Sequence, residues 1–214
     1  MSPVQKGAGR SLPILKPAPA AGTAAKGAIE MTYELHVAGL TRQLKLHSIG
    51  ENLMIAGFVV FGDVELTVAC ARELLRRAPE YDYMIAPEAK AIPLIHEMAR
   101  QSGRNEYLLA RKAAKAYMDG VFSVKYTSIT TQGSQELFMD GSDAKKMAGK
   151  RVLILDDVIS TGESLAAMEH LVKEAGGIIV GKMAVLAEGG AAARKDIIYL
   201  EKLPLFDGQG TPLG

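Results

Sequence analysis

Hydrophobic and polar positions along the chain change period several times, and the changes predict strands alternating with helices. Three short apolar stretches come first, Tyr33–Val37, Gln43–Leu46 and Met54–Val60, broken by Gly39 and Gly50. They predict short strands. A helix is predicted from Asp63, which suits an N-cap, to Arg77, with Val64, Val68, Leu74 and Leu75 inside and Pro79 beyond its end. Tyr83–Ala86 predicts a strand, and Ala91–Gln101 a helix whose Ile92, Ile95 and Met98 face inward before Gly103 closes it. Tyr107–Ala110 is the next strand, and Val121–Thr130 and Gln135–Met139 predict the arms of a hairpin around Gly133. Arg151–Leu155 is continuously apolar, as a strand buried on both faces should be. It leads through a short loop into a helix over Gly162–Ala175, ended by Gly176 and Gly177. Ile178–Leu186 and Asp196–Leu200 complete the strands. Strands and helices alternating at these lengths predict an α/β fold, a parallel sheet covered on both faces.

Composition adds limits. At 214 residues the chain has room for one such domain and a small appendage. Hydrophobic residues make up 48%, charged residues 23%, and the net charge is +1. No global field therefore points to nucleic acid or a membrane surface, and an anionic substrate needs a local site. Met1–Ile29 holds no acidic residue and is dominated by Ala, Gly and Pro, with Lys6, Arg10, Lys16 and Lys26 spaced among them. Such a segment buries too little apolar surface to order itself, so residues 1–30 are expected to form a disordered tail and residues 31–214 the domain. Cys70 is the single cysteine, which excludes an intrachain disulfide and a cysteine metal cluster. His36, His47, His96 and His170 are scattered, and no run reaches the length of a membrane span. A cytoplasmic, reducing compartment is expected.

The segment Arg151–Leu165, RVLILDDVISTGESL, carries the most chemistry. A buried strand meets Asp156 and Asp157, then the loop Ser160-Thr161-Gly162-Glu163-Ser164, then a helix. A turn at Gly162 lets backbone N–H groups and the hydroxyls of Ser160, Thr161 and Ser164 converge at a helix N-terminus, where an anion is favoured. Two carboxylates beside a phosphate site would repel it, so they are better explained as acceptors for sugar hydroxyls. Phosphate and diol together indicate a ribose 5-phosphate. No GxxxxGK[ST] loop occurs in the chain. Simple helix capping by Ser160 and Ser164 is the plainer alternative, but it leaves two adjacent acids at the end of a core strand unexplained. Glu88, Ala89 and Lys90 form a second loop between a strand and a helix, and a lysine at a helix N-terminus is poor electrostatics unless a polyanion binds there. Arg111, Lys112 and Lys115 follow the end of a third strand.

The strand, the paired acids and the Thr-Gly loop resemble the signature by which type I phosphoribosyltransferases bind phosphoribosyl pyrophosphate (PRPP). The resemblance extends over about Met31–Phe206 and implies a parallel sheet flanked by helices, with a small hood subdomain drawn from about residues 31–60 and 196–206. It implies that Asp156 and Asp157 contact the ribose hydroxyls while Ser160, Thr161, Gly162, Glu163 and Ser164 hold the 5′-phosphate. Glu163 departs from the small residue common there and must turn its carboxylate away. Glu88, Ala89 and Lys90 resemble the pyrophosphate loop, and Arg111 and Lys112 an Arg-Lys pair that precedes a closing loop, here Tyr117–Asp140. The spacing RKxxK resembles that of orotate enzymes, which makes Lys115 the cation acting on the departing pyrophosphate. Adenine-specific members often carry a Glu in the closing loop, and Thr127–Gly133 has none, a pattern closer to other purine enzymes. Glu188 stands where a carboxylate could accept from a purine N–H, cap Gly189 and Gly190, or face solvent. Phe206 could stack on a base or simply pack. The expected activity is Mg²⁺-dependent transfer of a phosphoribosyl group to a nitrogenous base, a purine in the first instance, by a homodimer with no nucleic-acid or membrane partner. The metal would be held through PRPP and water near Asp156 and Asp157. Two alternatives are an orotate enzyme and a regulator that binds PRPP or a nucleotide without chemistry.

Overall fold

A computed structural model describes residues 31–127 and 134–213, and sorts the alternating pattern into two five-stranded sheets and a hairpin. The expected tail, residues 1–30, and residues 128–133 of the expected closing loop lie outside the described residues. In chain order the elements are β1 (Thr32–Val37), β2 (Leu40–Gly50), β3 (Leu53–Ala56), α1 (Val64–Arg77), β4 (Tyr83–Pro87), α2 (Ile92–Gln101), β5 (Leu108–Ala110), β6 (Phe122–Thr127) and β7 (Ser134–Met139). Then come α3 (Gly141–Met147), β8 (Arg151–Ile159), α4 (Glu163–Glu174), β9 (Ile178–Glu188), a 3₁₀ turn (Gly189–Ala193), β10 (Ile198–Leu203), β11 (Leu205–Asp207) and β12 (Pro212–Leu213).

The main sheet is parallel, in the order β10-β9-β8-β4-β5. Alternation along its central strands divides two cores. Met84, Leu153, Leu155, Met183 and Val185 join Leu66 and Leu74 of α1 and Leu94, Ile95 and Met98 of α2 on one face. Ile85, Ile154 and Ala184 join Met168, Leu171 and Val172 of α4 and Met147 of α3 on the other. Side chains buried on both faces explain why β4, β8 and β9 read as unbroken apolar runs. The inward face of α1 differs from expectation, since Val64 is 73% exposed while Leu66, Cys70 and Leu74 are buried. Leu66 in the same turn is buried, and Val64, two residues earlier, lies on roughly the opposite side of the helix from it.

The connections set the location of any ligand site. From β4 the chain passes through α2 to β5 on one side, and from β8 through α4 to β9 on the other. These crossovers pack on opposite faces, so the strand order reverses between β4 and β8. Open α/β sheets bind ligands at the carboxyl ends of the strands flanking such a reversal.

The second sheet, β1-β2-β3-β11-β12, is antiparallel where its ladders pair and packs Leu35, Val37, Leu44, Met54 and Phe206 against the α1 side of the core. It draws on most of the expected hood segment. Ile198–Leu203, however, pairs parallel with β9 and extends the main sheet, and Leu205–Leu213 supplies the C-terminal strands of the small sheet instead. Phe206 is 1% exposed, its ring edge-on to Tyr33 at 5.1 Å, so it packs rather than presenting a face to a base. The polar run GSDAKKM gave no apolar period, yet it forms α3 because Asp140 caps it through the Ser142 N–H at 2.8 Å and Ala144 and Met147 are buried.

Candidate functional site

Strand β8 runs four residues past its predicted end. The ladder between β4 and β8 stops at Ile85 and Ile154, whereas that between β8 and β9 continues to Ile159 and Ala187. Asp156 and Asp157 therefore lie within the strand, where β4 has already turned away at Pro87. Beyond Ile154, β8 therefore has no paired neighbour on the β4 side, and this open edge lies at the reversal of strand order.

Asp156 is half-buried and Asp157 is buried. Asp157 is 5% exposed, and its Oδ2 meets no hydrogen-bond partner. Its backbone N–H donates to Asp156 Oδ1 at 2.9 Å. Burial, and then the neighbouring Asp157 carboxylate, hold the Asp156 carboxyl well above the usual carboxylate range. A buried carboxylate oxygen without a partner is rare and calls for a physical explanation. Sugar hydroxyls or a hard cation would satisfy it.

The loop after β8 leads into a helix start that no side chain caps. Gly162 is the N-cap of α4 in the left-handed conformation, φ 85°, and no side chain caps the helix. Helix α2, which opens after Glu88-Ala89-Lys90, also lacks a side-chain cap, whereas Asp63 and Asp140 cap α1 and α3. Neither α2 nor α4 receives a side-chain cap hydrogen bond, an arrangement that suits an anion at a helix start. Ser160, Thr161 and Ser164 are exposed around the loop.

Charge converges on the same place. Lys90 is exposed, and its ammonium partly counters the raised carboxyls of both Asp156 and Glu188. The loop after β4, the acids of β8 and the end of β9 therefore share one field. Burial pushes the half-buried Glu188 carboxyl upward. Next to it, Gly189 and Gly190 line a cavity of about 640 Å³ with Tyr33, Leu203, Pro204 and Leu213.

The third group is arranged differently from the sequence expectation. Glu88 turns to the end of β5, where its carboxylate takes Arg111 Nη1 at 3.2 Å and the Lys112 N–H at 3.4 Å. Its own N–H donates to the Ala110 carbonyl at 2.7 Å. Glu88 thus ties the second loop to the strand carrying the cations, and the peptide it shares with Ala89 is cis. Arg111 is engaged as well, pairing by backbone with Phe138 and lying 5.8 Å from the Tyr117 ring centroid. Lys90, Lys112 and Lys115 have no ion-pair partner among the described residues, which leaves them available to a polyanion. Lys115 lies on the connection from β5 to the hairpin, away from the strand ends themselves. Sequence reasoning missed Arg194, whose guanidinium reaches the Gly162 loop from beyond β9. No local motif signals it.

A metal would find few ligands of the chain itself. Among the described residues no group of three His, Cys, Asp or Glu side chains could hold one. Among them, too, no helix is long and apolar enough to cross a membrane.

Residues 68–207 match the family model described as the phosphoribosyl transferase domain. An adenine phosphoribosyltransferase of Nocardia farcinica is 33% identical over 143 residues, covering 64% of this chain and 71% of that protein. One of Rubrobacter xylanophilus is 32% identical over 122 residues, 57% of this chain and 63% of that protein. The crystal structure of adenine phosphoribosyltransferase from Thermoanaerobacter pseudethanolicus has 25% identity and a TM-score of 0.56, over 67% of this chain and 84% of the other.

Proposed function

Because the chain belongs to the phosphoribosyl transferase domain family, in its type I form, we propose that it transfers the phosphoribosyl group of PRPP to a purine base, releasing pyrophosphate. The observation that carries this reading is the acid pair with its orphaned, buried Asp157 Oδ2, set beside the uncapped start of α4 at the reversal of strand order. A ribose with a 5′-phosphate satisfies both features at once. The relatives named as adenine phosphoribosyltransferases make adenine the first base to test, with hypoxanthine, guanine and xanthine beside it.

The reaction breaks the bond from C1 of the ribose to a pyrophosphate oxygen, whose electron pair leaves with pyrophosphate. A base nitrogen then bonds C1 and the base loses a proton. Positive charge builds on the ribose as the bond lengthens, and Asp156 and Asp157 supply negative potential there. Negative charge builds on the leaving group, which we assign Lys90, Lys112 and Lys115 to meet. Cations on one side and the acid pair on the other thus sort the two charges of the transition state. Glu188, already biased towards its protonated form, is assigned to the base side, where the 640 Å³ cavity begins. Ser160, Thr161, Gly162 and Ser164 take the 5′-phosphate, which stays bound through to the nucleotide product.

Magnesium fits this arrangement as a guest of the substrate. Asp156 and Asp157 offer two carboxylates, and Mg²⁺ usually binds through one or two carboxylates with phosphates and water. When bound it would neutralise charge on the pyrophosphate. We also assign the protein a homodimeric state, which the exposed Val59, Phe61 and Val64 support and sedimentation would test.

The test incubates the chain with PRPP, Mg²⁺ and each of adenine, hypoxanthine, guanine, xanthine and orotate, following nucleotide formation by chromatography. Adenosine monophosphate, or another purine nucleotide, is expected. Orotidine monophosphate alone would reassign the base, and tight PRPP binding with no turnover would make the protein a regulator.

A further inference from the structure

We propose that Arg194 is a positioning residue of the phosphate loop, held by Asp196 so that its guanidinium braces Gly162 and brings positive charge against the loop. The proposal rests on the phosphoribosyl-transfer reading and adds a residue to it.

Arg194 follows the 3₁₀ turn that leaves the end of β9. Its Nε and Nη2 donate to the two oxygens of Asp196 at 3.0 and 2.8 Å, a forked pairing that fixes the plane of the guanidinium. Asp196 is itself held, because its Oδ2 also accepts from Lys182 Nζ at 2.5 Å, and Lys182 donates to Glu169 of α4 at 3.0 Å. The chain of contacts runs from the body of α4 through β9 to Arg194, and Arg194 returns to the start of α4. The nitrogen facing that start is Nη1, which lies 2.6 Å from where a Cβ on Gly162 would sit, with Cζ at 3.9 Å.

Two consequences follow. Gly162 must lack a side chain because of its left-handed φ and because the guanidinium occupies the space a side chain would need. The loop also acquires a charge that persists at every physiological pH, since a guanidinium does not deprotonate there. Glu169, Lys182, Asp196 and Arg194 sum to zero charge, so the cluster adds no long-range field. Its effect is local, through the one edge turned to the loop. Lysine could supply charge but not the fork, and its flexible stem would have to be immobilised on binding.

The test uses the full chain with Arg194→Ala, Arg194→Gln and Asp196→Asn. Binding of ribose 5-phosphate is measured by calorimetry, the KM values for PRPP and for the purine base by steady-state kinetics, and folding by circular dichroism. Arg194→Ala and Arg194→Gln are expected to weaken ribose 5-phosphate by about tenfold, through loss of the nearby charge and of the loop's bracing. The KM for PRPP should rise and that for the base stay within about threefold, because the loop serves only the phosphate. Asp196→Asn, which leaves the guanidinium in place but loosens it, should weaken ribose 5-phosphate in the same direction. Parent-like affinity in both Arg194 variants overturns the proposal and leaves phosphoribosyl transfer standing. An equal rise in both KM values overturns it as well, by making the damage general. Parent-like binding in Asp196→Asn removes the bracing. If the unaltered chain binds neither ribose 5-phosphate nor PRPP, the transfer reading fails and this proposal with it.

Discussion

Replacing Asp157 with Asn separates function from stability at one atom. The asparagine has nearly the shape of the aspartate, so the buried site keeps its packing, while a negative charge is removed from beside the strained Asp156 carboxyl. A buried polar atom without a partner costs roughly 1–3 kcal/mol, and Oδ2 is such an atom. An amide still has unsatisfied groups but no net charge, so recovery of about 1 kcal/mol is the expected part of that cost. For a domain of this size, about 1 kcal/mol corresponds to a rise of roughly 2–4 °C in Tm. Binding moves the other way. A carboxylate accepting from a sugar hydroxyl contributes about 1.5–3 kcal/mol, so PRPP affinity should fall by about tenfold to a hundredfold. Differential scanning calorimetry of the free protein and calorimetric titration with PRPP read the two effects independently. A Tm that falls by several degrees would mean that Asp157 is a structural acid with a partner. PRPP binding within about threefold of the parent would remove the acid pair from the ribose site.

The remaining predictions address the cations, the loop and pH. Lys115→Ala should lower kcat far more than it weakens PRPP, the pattern of a contact made mainly in the transition state; a rise in KM at constant kcat would place it in ground-state binding. Gly162→Ala should destabilise the fold by about 1–2 kcal/mol through its positive φ alone, read by urea denaturation, and should weaken PRPP and nucleotide together. Binding of both ligands at parental strength would disprove that Ser160–Ser164 is the phosphate cradle. Because the folded Asp156 carboxyl is raised, the folded protein holds more protons than the unfolded chain just above pH 4. Its contribution to stability should therefore decline as pH rises through that window and level off above it, and Asp156→Asn should abolish the decline. Glu97 behaves oppositely. The Arg100 guanidinium holds it at about 2, so the stability it adds is present above its ordinary value of 4.5 and lost as pH falls towards 2; an unchanged acid limb in Glu97→Gln would disprove that role.

Legibility in the sequence followed the range of the interactions. The strands and helices of the main sheet were readable because apolar periodicity is local, and the Asp156–Ser164 segment because its chemistry is contiguous. The far end of β8 was not. Two acids look like the end of an apolar run, and only the continued ladder with β9 keeps the strand extended to Ile159. Nor could the strand pattern assign Ile198–Leu203 to the main sheet, since a five- or six-residue apolar stretch fits either sheet and only the partner decides. The roles of single charges were least visible. Glu88 read as a ligand-facing acid in a phosphate loop, yet it is bound to Arg111, twenty-three residues on. Arg194 belongs to no motif, and nothing adjacent to it in sequence indicates that it meets Gly162, thirty-two residues earlier.

The same distinction bears on Gly162. The sequence offered a glycine at a strand-to-helix turn, from which close approach of a phosphate to the backbone was the natural inference. The structure keeps the turn, with φ 85°, but the direction in which a side chain would project is taken by Arg194 Nη1. A glycine can thus be required from two sides, by its own dihedral angle and by a neighbour supplied from another part of the chain. The double variant Gly162→Ala with Arg194→Ala separates these requirements. It removes the contact at 2.6 Å and leaves the dihedral strain, so it should be more stable than the sum of the two single changes predicts. Strict additivity in urea denaturation would mean that the guanidinium moves aside at no cost, and that the loop's handedness alone selects glycine.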